Sequence, residues 1–388
     1  MSPEAGAVTQ ICLEQYPIAA MSRCPRLLRC SIQSFDYVTL NLVSRPSARQ
    51  QLPFTLQDVR AAIPAYCFQP SLGRSLAYFF LDLGMIAALY WLAASINRVW
   101  FFPLFWLMQG TLFWALFVIG HDCGHGSFSR YRWLNHLVGH LSHTPILVPF
   151  HGWRISHRTH HANTGNIDTD ESWYPVTESQ YQQMAWFEKL ARFHLILFVY
   201  PLYLFRRSPG KQGSHFMPES PLFRPHERWG VLISTLCCAL MLGVLVGLGL
   251  HYGFIFLLNY YLLPYLVFVV WLDLVTFLHH TDAEIPWYRG DDWYFLKGAL
   301  STIDRDYGII NPIHHDIGTH VAHHIFLSIP HYHLRAATAA IKPVLGEYYR
   351  ESKQPIWQAL WQSYRSCYFV PDQGTRVYYQ APRRDRKS

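Results

Sequence analysis

Four stretches of this chain are long and apolar enough to cross a bilayer: roughly Leu76–Ile96, Val99–Gly120, Gly230–Leu250 and Phe254–Phe277. A bilayer takes about 20 mostly apolar residues per helical crossing. The second and third stretches hold no charged residue, and the first and fourth hold one carboxylate each, Asp82 and Asp273. A segment in lipid must satisfy its backbone polar groups internally. The chain therefore reads as an all-α integral membrane protein. The connections near Ile96–Val99 and His251–Gly253 are too short for anything but two hairpins, so the remaining sequence must form a helical cap on one side.

The charges agree with that topology. Of the 32 Lys and Arg, seven precede the first stretch, eleven lie between the second and third, and thirteen follow the fourth, leaving only Arg98 in a connection on the other side. This asymmetry is the positive-inside pattern, and it puts both termini and the long middle segment on the cytoplasmic or stromal side. The net charge of +7 is explained by this placement and suits anionic headgroups or an acidic partner protein; no nucleic-acid partner is expected. Eight cysteines show no CxxC spacing, which points to a reducing compartment without a disulfide framework.

Residues 1–51 lack helical periodicity and read as a disordered tail, with a transit-like leader as the alternative. No apolar core of a secretory signal lies in the first 50 residues. The membrane domain is expected over 52–380, followed by a basic tail, 381–388, containing Arg383, Arg384, Arg386 and Lys387. Within Leu52–Pro70 a short helix is expected, capped by Thr55 with Asp58 three residues on. Leu134–Phe150 and Leu190–Phe205 are apolar but interrupted by Pro145, Pro149 and Pro201, and are expected to be helices lying at the membrane surface.

The chain has 22 histidines, and eight fall into three clusters: His121 and His125; His157, His160 and His161; His320, His323 and His324. Residues three and four apart share a helix face, so each cluster aims its imidazoles at one place. Eight nitrogens exceed one tetrahedral metal and suit two metals with open positions. Imidazole binds Zn, Cu, Fe and Ni alike and does not itself choose. All three clusters lie on the same expected side, adjoining the ends of the second and fourth stretches. His279 and His280 sit where the fourth stretch ends. Adjacent helical residues point about 100° apart, so one of them faces the site, and His280, on the face of Asp273 and Thr276, is the expected ninth ligand. His315 is a weaker candidate. Asp122, Asp170, Glu171 and Asp316 are candidates to orient ligand imidazoles, with a solvated role as the alternative. His136, His140, His143, His331 and His333 are expected at the surface or behind the ligands.

These residues resemble the three histidine boxes of membrane fatty-acid desaturases, and more narrowly the omega-3 (Δ15-type) acyl-lipid desaturases of cyanobacteria and plants. The resemblance rests on HDCGHGSFS (His121–Ser129), HGWRISHRTHH (His151–His161), DESWYP (Asp170–Pro175), TFLHHTD (Thr276–Asp282), TIDRDYGIINPIHHDIGTHVAHH (Thr302–His324) and IPHYHL (Ile329–Leu334). It covers roughly Leu52 to Gln380. Ile325–Ser328 and Ala162–Gly165 depart from the plant pattern, the latter by lacking a histidine, and this favours a cyanobacterial type. The resemblance implies a di-iron centre, O2 as co-substrate, acyl chains of membrane glycerolipids as substrate, and ferredoxin as electron donor, with cytochrome b5 as the alternative. It also implies a thylakoid or plasma membrane of a cyanobacterium, or otherwise a plastid membrane.

Desaturation of an unactivated methylene pair needs a redox metal, which zinc is not. Δ12 desaturases, acyl hydroxylases, acetylenases, carotenoid ketolases and alkane hydroxylases share the same boxes, and the Δ15 choice rests on resemblance. A zinc transporter would place polar groups deep within its spans, whereas these clusters adjoin the span ends.

Overall fold

The computed structural model describes residues 51–382 except 174, 195 and 208–210. The expected N-terminal tail, apart from residue 51, and the basic residues Arg383, Arg384, Arg386 and Lys387 lie outside the described residues.

Helix α1 (Leu56–Ala62) starts as its sequence dictates: the Thr55 hydroxyl accepts from the Asp58 amide while the Asp58 carboxylate accepts from the Thr55 amide. The first span is α2 (Leu72–Ile96), and the second is a single 3-10 turn running into α3 (Phe102–His125). The cap then builds α4 (Arg132–His143), α5 (Phe150–Asn163), α6 (Glu178–Gln183), α7 (Trp186–His194) and α8 (Tyr200–Arg206). The second hairpin is α9 (Arg228–Tyr252) followed by α10 (Phe254–Leu257), which passes through a π turn into α11 (Leu263–His280). The π turn falls just before Pro264, whose missing amide donor and ring disturb the regular ladder.

The four spans are thus those expected from the sequence, with polar extensions. The second continues five residues beyond Gly120 and the fourth three beyond Phe277, because a helix ends where its backbone bonding ends rather than where hydropathy falls. The first histidine cluster therefore occupies the last turn of α3, and His279 and His280 close α11. α3 and α11 pack most extensively against each other, and more of their apolar stretches is buried than in the other two spans. Their close approach requires Gly110: a Cβ there would lie 2.4 Å from the Val267 Cβ and 2.5 Å from the Pro264 carbonyl oxygen.

After α11 the chain forms α12 (Phe295–Ala299), α13 (His320–Ile325), α14 (His331–Leu345) and α15 (Ile356–Ser366). Four two-residue strands tie the cap together: β1 (Trp287–Tyr288) with β4 (Arg376–Val377) antiparallel, and β2 (Asp304–Arg305) with β3 (Glu351–Ser352) parallel. Of the two segments expected at the membrane surface, the first divides at Pro145 and Pro149 into α4 and the start of α5. Trp133, Leu137 and Leu141 of α4 recur every four residues and are exposed, an apolar stripe suited to an interfacial helix. The second yields the end of α7 and then α8, where Leu202 and Phe205 are exposed.

Both carboxylates inside the spans bind the cap. Asp82 of α2 lies 2.7 Å from His315 Nε2, and Asp273 of α11 accepts from the Tyr200 amide at the start of α8 at 3.1 Å. The loop bearing His315 is strained: His315 and Asp316 have φ of 50° and 53°, a region that costs non-glycine residues of order 1–3 kcal/mol each. Asp82 holds the first of them and Arg335, at 2.6 Å, the second.

His143, His215 and His314 are wholly buried, and burial pushes their imidazoles down to about 3, 4 and 3 respectively. The unfolded chain binds protons that the folded chain refuses, so their contribution to stability is complete above the unfolded value near about 6.5 and is lost as pH falls from there. Each should cost about 1 kcal/mol between pH 6.5 and 5.5. Thermal unfolding in detergent across this range should show a steep acid-side decline, and a flat profile would contradict the burial of these rings.

Candidate metal centre

The three clusters and His280 converge at the cap ends of α3 and α11. His121 and His125 come from the last turn of α3, His157, His160 and His161 from the second half of α5, His280 from the end of α11, and His320, His323 and His324 from α13. Two groups result. His121, His125, His157, His161 and His323 each offer a ligand atom within 4.8 Å of all the others, as do His160, His280 and His324. His320 joins the second group, with its Nε2 3.2 Å from that of His280 and 3.0 Å from that of His324.

In the first group consecutive Nε2 atoms run His125–His121–His323–His161–His157 at 3.2, 3.1, 3.2 and 3.0 Å. Three of the five nitrogens face two neighbours at once, a convergence that hydrogen bonding between pairs does not produce. A metal–nitrogen bond of about 2.1 Å puts ligands at right angles about 3.0 Å apart and tetrahedral ligands about 3.4 Å apart. The observed spacings suit a metal with more than four positions. The donor set also suits iron, which imidazole binds well. Burial, then the neighbouring imidazoles, hold His157, His161, His320, His323 and His324 well below the ordinary histidine value. They are neutral and their lone pairs are available.

Two of the ligand candidates, His160 and His324, are oriented from behind by a hydrogen bond on Nδ1, as metal-binding imidazoles usually are. The His160 Nδ1–H donates to Asp170 Oδ1 at 2.7 Å, an oxygen that also accepts the Ser172 and Trp173 amides. The Thr164 hydroxyl donates to the His160 carbonyl at 2.8 Å, so its oxygen accepts the His324 Nδ1–H at 3.2 Å. Asp122 stands 3.5 Å from His121 Nδ1, too long for a hydrogen bond, and accepts the amide and Nδ1–H of His331 at 3.0 Å each. Asp304 accepts the Val321 amide at 2.7 Å and the Tyr349 hydroxyl at 2.5 Å, pinning the first turn of α13. Burial raises its carboxyl to about 7.

Replacing Asp170 with Asn keeps the shape but removes the charge that steadies His160. Metal affinity should fall about 10- to 100-fold, measurable by competition with a chelator. Unchanged retention would show that Asp170 serves only the loop.

The remaining sequence candidates are distributed differently. His279 is engaged on both nitrogens, Nδ1 with the Ile303 carbonyl at 2.6 Å and Nε2 with the Tyr307 hydroxyl at 3.2 Å. It stacks on His320 instead of facing the centre, which leaves His280 as the residue of the pair that does. Asp273 and Thr276 do not accompany it: they bond Tyr200 and the Leu272 carbonyl. His315 belongs to Asp82, Glu171 to Arg207, and Asp316 to Arg335. His143 is not a surface residue; it is buried under α3 with Nε2 3.1 Å from the Phe117 carbonyl. Sequence reasoning missed Thr164 and the pairing of Asp82, whose partners lie 160 and 233 residues away, and Asp304, whose bond to the Val321 amide has no sequence pattern.

Beneath the histidines the wall is apolar and aromatic. Trp153 stacks on His157 at 4.5 Å between ring centroids and meets Phe117 edge-on. Phe117, Trp114, Tyr200 and Phe268 continue the same core between α3 and α11.

A family model described as fatty acid desaturase matches residues 97–355. The sn-1 acyl-lipid omega-3 desaturase (ferredoxin) of Synechocystis sp. is 71% identical over 333 residues, 86% of this chain and 93% of that protein. The protein of the same description from Nostoc sp. is 64% identical over 87% of this chain and 94% of its own length. The endoplasmic-reticulum omega-3 fatty acid desaturase of Vigna radiata is 53% identical over 84% and 89%. With four membrane-length helices, a buried histidine centre at their cap ends and this degree of identity along most of its length, the chain belongs to the fatty acid desaturase family, where it is similar to the acyl-lipid omega-3 desaturases of cyanobacteria and plants.

Proposed function

We propose that this oxidoreductase inserts a cis double bond at the omega-3 (Δ15) position of linoleoyl groups in membrane glycerolipids, those at sn-1 included, using O2 and electrons from reduced ferredoxin. The observation that carries the reading is the pair of buried imidazole groups in a chain 71% identical to a relative of that description. His121, His125, His157, His161 and His323 would hold one iron, and His160, His280, His320 and His324 the other. When bound, the irons supply the oxidising power toward a methylene C–H bond that no side-chain base can provide. In the overall conversion, CH2–CH2 becomes CH=CH, and O2 with two electrons and two protons becomes two waters.

The chain's own residues set the conditions for that chemistry. Asp170 and Thr164 fix the outer nitrogens of His160 and His324, so that each presents Nε2 to the centre. Trp153 and Phe117 close the membrane side with apolar surface, which excludes water and lets an acyl chain be held by position. The basic residues on the cap side argue for a cytoplasmic or stromal orientation of the centre. The two cyanobacterial relatives, more similar than the plant ones, argue for a cyanobacterial thylakoid or plasma membrane.

The test is the fatty-acid profile of a host that contains linoleate and a working ferredoxin. α-Linolenate should appear with the intact chain and not with the His160→Ala variant. Oxygenated products in its place would assign the chain to a hydroxylase, and new double bonds only at Δ12 would assign it to the other desaturase class.

A further inference from the structure

The cap carries a pocket outside the histidine centre. It has a volume of about 270 Å³ and is lined by Leu52, Tyr288, Lys297, Tyr348, Arg350 and Arg376, among others, with three cations and no carboxylate in its wall. Lys297 is neutralised by Asp292. Among the described residues Arg350 donates to the carbonyls of Glu284, Leu300 and Tyr348, and exposed Arg376 lies over the Tyr378 ring. Neither arginine has a carboxylate partner among the described residues. Two uncompensated guanidinium groups at one concave place are a receptor for a projecting carboxylate.

The pocket is joined to the centre by a short bonded route. Lys297 and Leu300 lie on and just beyond α12, and half-buried Trp293 lies two residues before it. The Trp293 indole N–H donates to the Thr164 carbonyl at 2.9 Å, and the Thr164 hydroxyl is 3.2 Å from His324 Nδ1. The backbone of α12 sits directly on this bond: a Cβ at Gly298 would lie 2.1 Å from the Thr164 oxygen and 2.6 Å from Trp293 Nε1. One hydrogen bond, one residue and a second hydrogen bond thus link an aromatic ring at the cap surface to an imidazole of the centre. Electrons tunnel more readily along covalent and hydrogen bonds than across gaps.

We propose that this face is where a small acidic iron–sulfur protein docks, with a surface carboxylate seated between Arg350 and Arg376, and that Trp293 and Thr164 carry its electron to His324. The proposal rests on ferredoxin being the donor, and it names the surface and the route. The transfer is one electron at a time, from the reduced iron–sulfur cluster to the oxidised centre. A lipid headgroup is the competing occupant. Charge complementarity together with the route leading inward from the same helix favours the redox protein.

The experiment uses the full iron-loaded chain in lipid nanodiscs with a reduced plant-type ferredoxin. Binding is measured by titration, and reduction of the centre by stopped flow with ferredoxin or with dithionite. Arg376→Glu and Arg350→Gln should each weaken ferredoxin binding, Arg376→Glu by about tenfold at low salt with a flattened salt dependence. Iron content and dithionite reduction should stay unchanged. Trp293→Phe should bind ferredoxin normally yet be reduced by it several-fold more slowly, again with normal dithionite reduction. If Arg350→Gln loses its iron through misfolding, Arg376→Glu decides alone. Unaltered ferredoxin binding by Arg376→Glu overturns the docking site, as does an effect confined to binding of anionic vesicles. Unaltered ferredoxin reduction of Trp293→Phe overturns the route. If the intact chain neither binds nor accepts electrons from ferredoxin, the donor assignment itself fails and the docking site falls with it.

Discussion

Replacing His323 with alanine is expected to abolish desaturation, lower the iron stoichiometry and leave the protein in the membrane. Its Nε2 lies 3.1 Å from that of His121 and 3.2 Å from that of His161, so it joins the α3 pair to the α5 pair. Without it the first group keeps four converging imidazoles but loses the nitrogen seated between the α3 and α5 pairs. Loss of a residue behind a ligand already costs about 10- to 100-fold in affinity or activity, and loss of the ligand should exceed that. Iron analysis of the purified protein and α-linolenate in the expressing host provide the two readouts. His251→Ala, on the exposed turn of the second hairpin, should match the parent in both. Stoichiometric iron and full turnover in His323→Ala would remove this histidine from the ligand set.

The second large effect concerns the fold. In His315→Leu, Asp82 is left within a span, 1% exposed, without the imidazole 2.7 Å away. Breaking one side of a buried pair costs about 3–5 kcal/mol, and here the imidazole also holds a loop whose two left-handed residues do not keep that conformation unaided. The melting temperature in detergent should drop sharply. The double variant Asp82→Leu, His315→Leu should recover much of the loss, since a well-packed apolar pair can replace a buried polar one. A single variant as stable as the parent would mean that water reaches Asp82. A double variant worse than the single would mean that the pair chiefly specifies the loop.

What could be foreseen in this chain was whatever has a local period. The four spans announce themselves by uninterrupted apolar length, and the eight clustered histidines by spacings of three and four on a helix. Even the Thr55–Asp58 cap of α1 is a four-residue pattern. The roughly 100° between His279 and His280 says only that one faces inward, and the preference for His280 rested on a face shared with Asp273 and Thr276, neither of which accompanies it. The Ile303 carbonyl and the Tyr307 hydroxyl decide the choice by occupying His279. Asp170 lies ten residues from His160 and was a candidate from the sequence, but most contacts that hold the cap around the centre have no local signature. Asp82 finds His315 across 233 residues, Asp122 finds His331 across 209, and Thr164 finds His324 across 160. At Thr164 the sequence departs from the plant pattern by lacking a histidine, a difference that looked remote from the ligands, yet its hydroxyl is bonded to one of them. Span ends were also misjudged by a few residues, since hydropathy reports lipid exposure while helices stop where backbone bonding stops.

The distribution of ligands along the chain has a consequence for the order in which the protein is made. When the first hairpin and α5 have emerged from the ribosome, His121, His125, His157 and His161 exist, but of the second group only His160 does. The other members wait for the end of α11 and for α13, and His323 lies 202 residues after His121. Both histidine groups can therefore be complete only once the second hairpin and α13 have been made. On the proposed assignment, redox competence would certify completed insertion, because a nascent chain lacks the histidines of the second group that would hold the other iron.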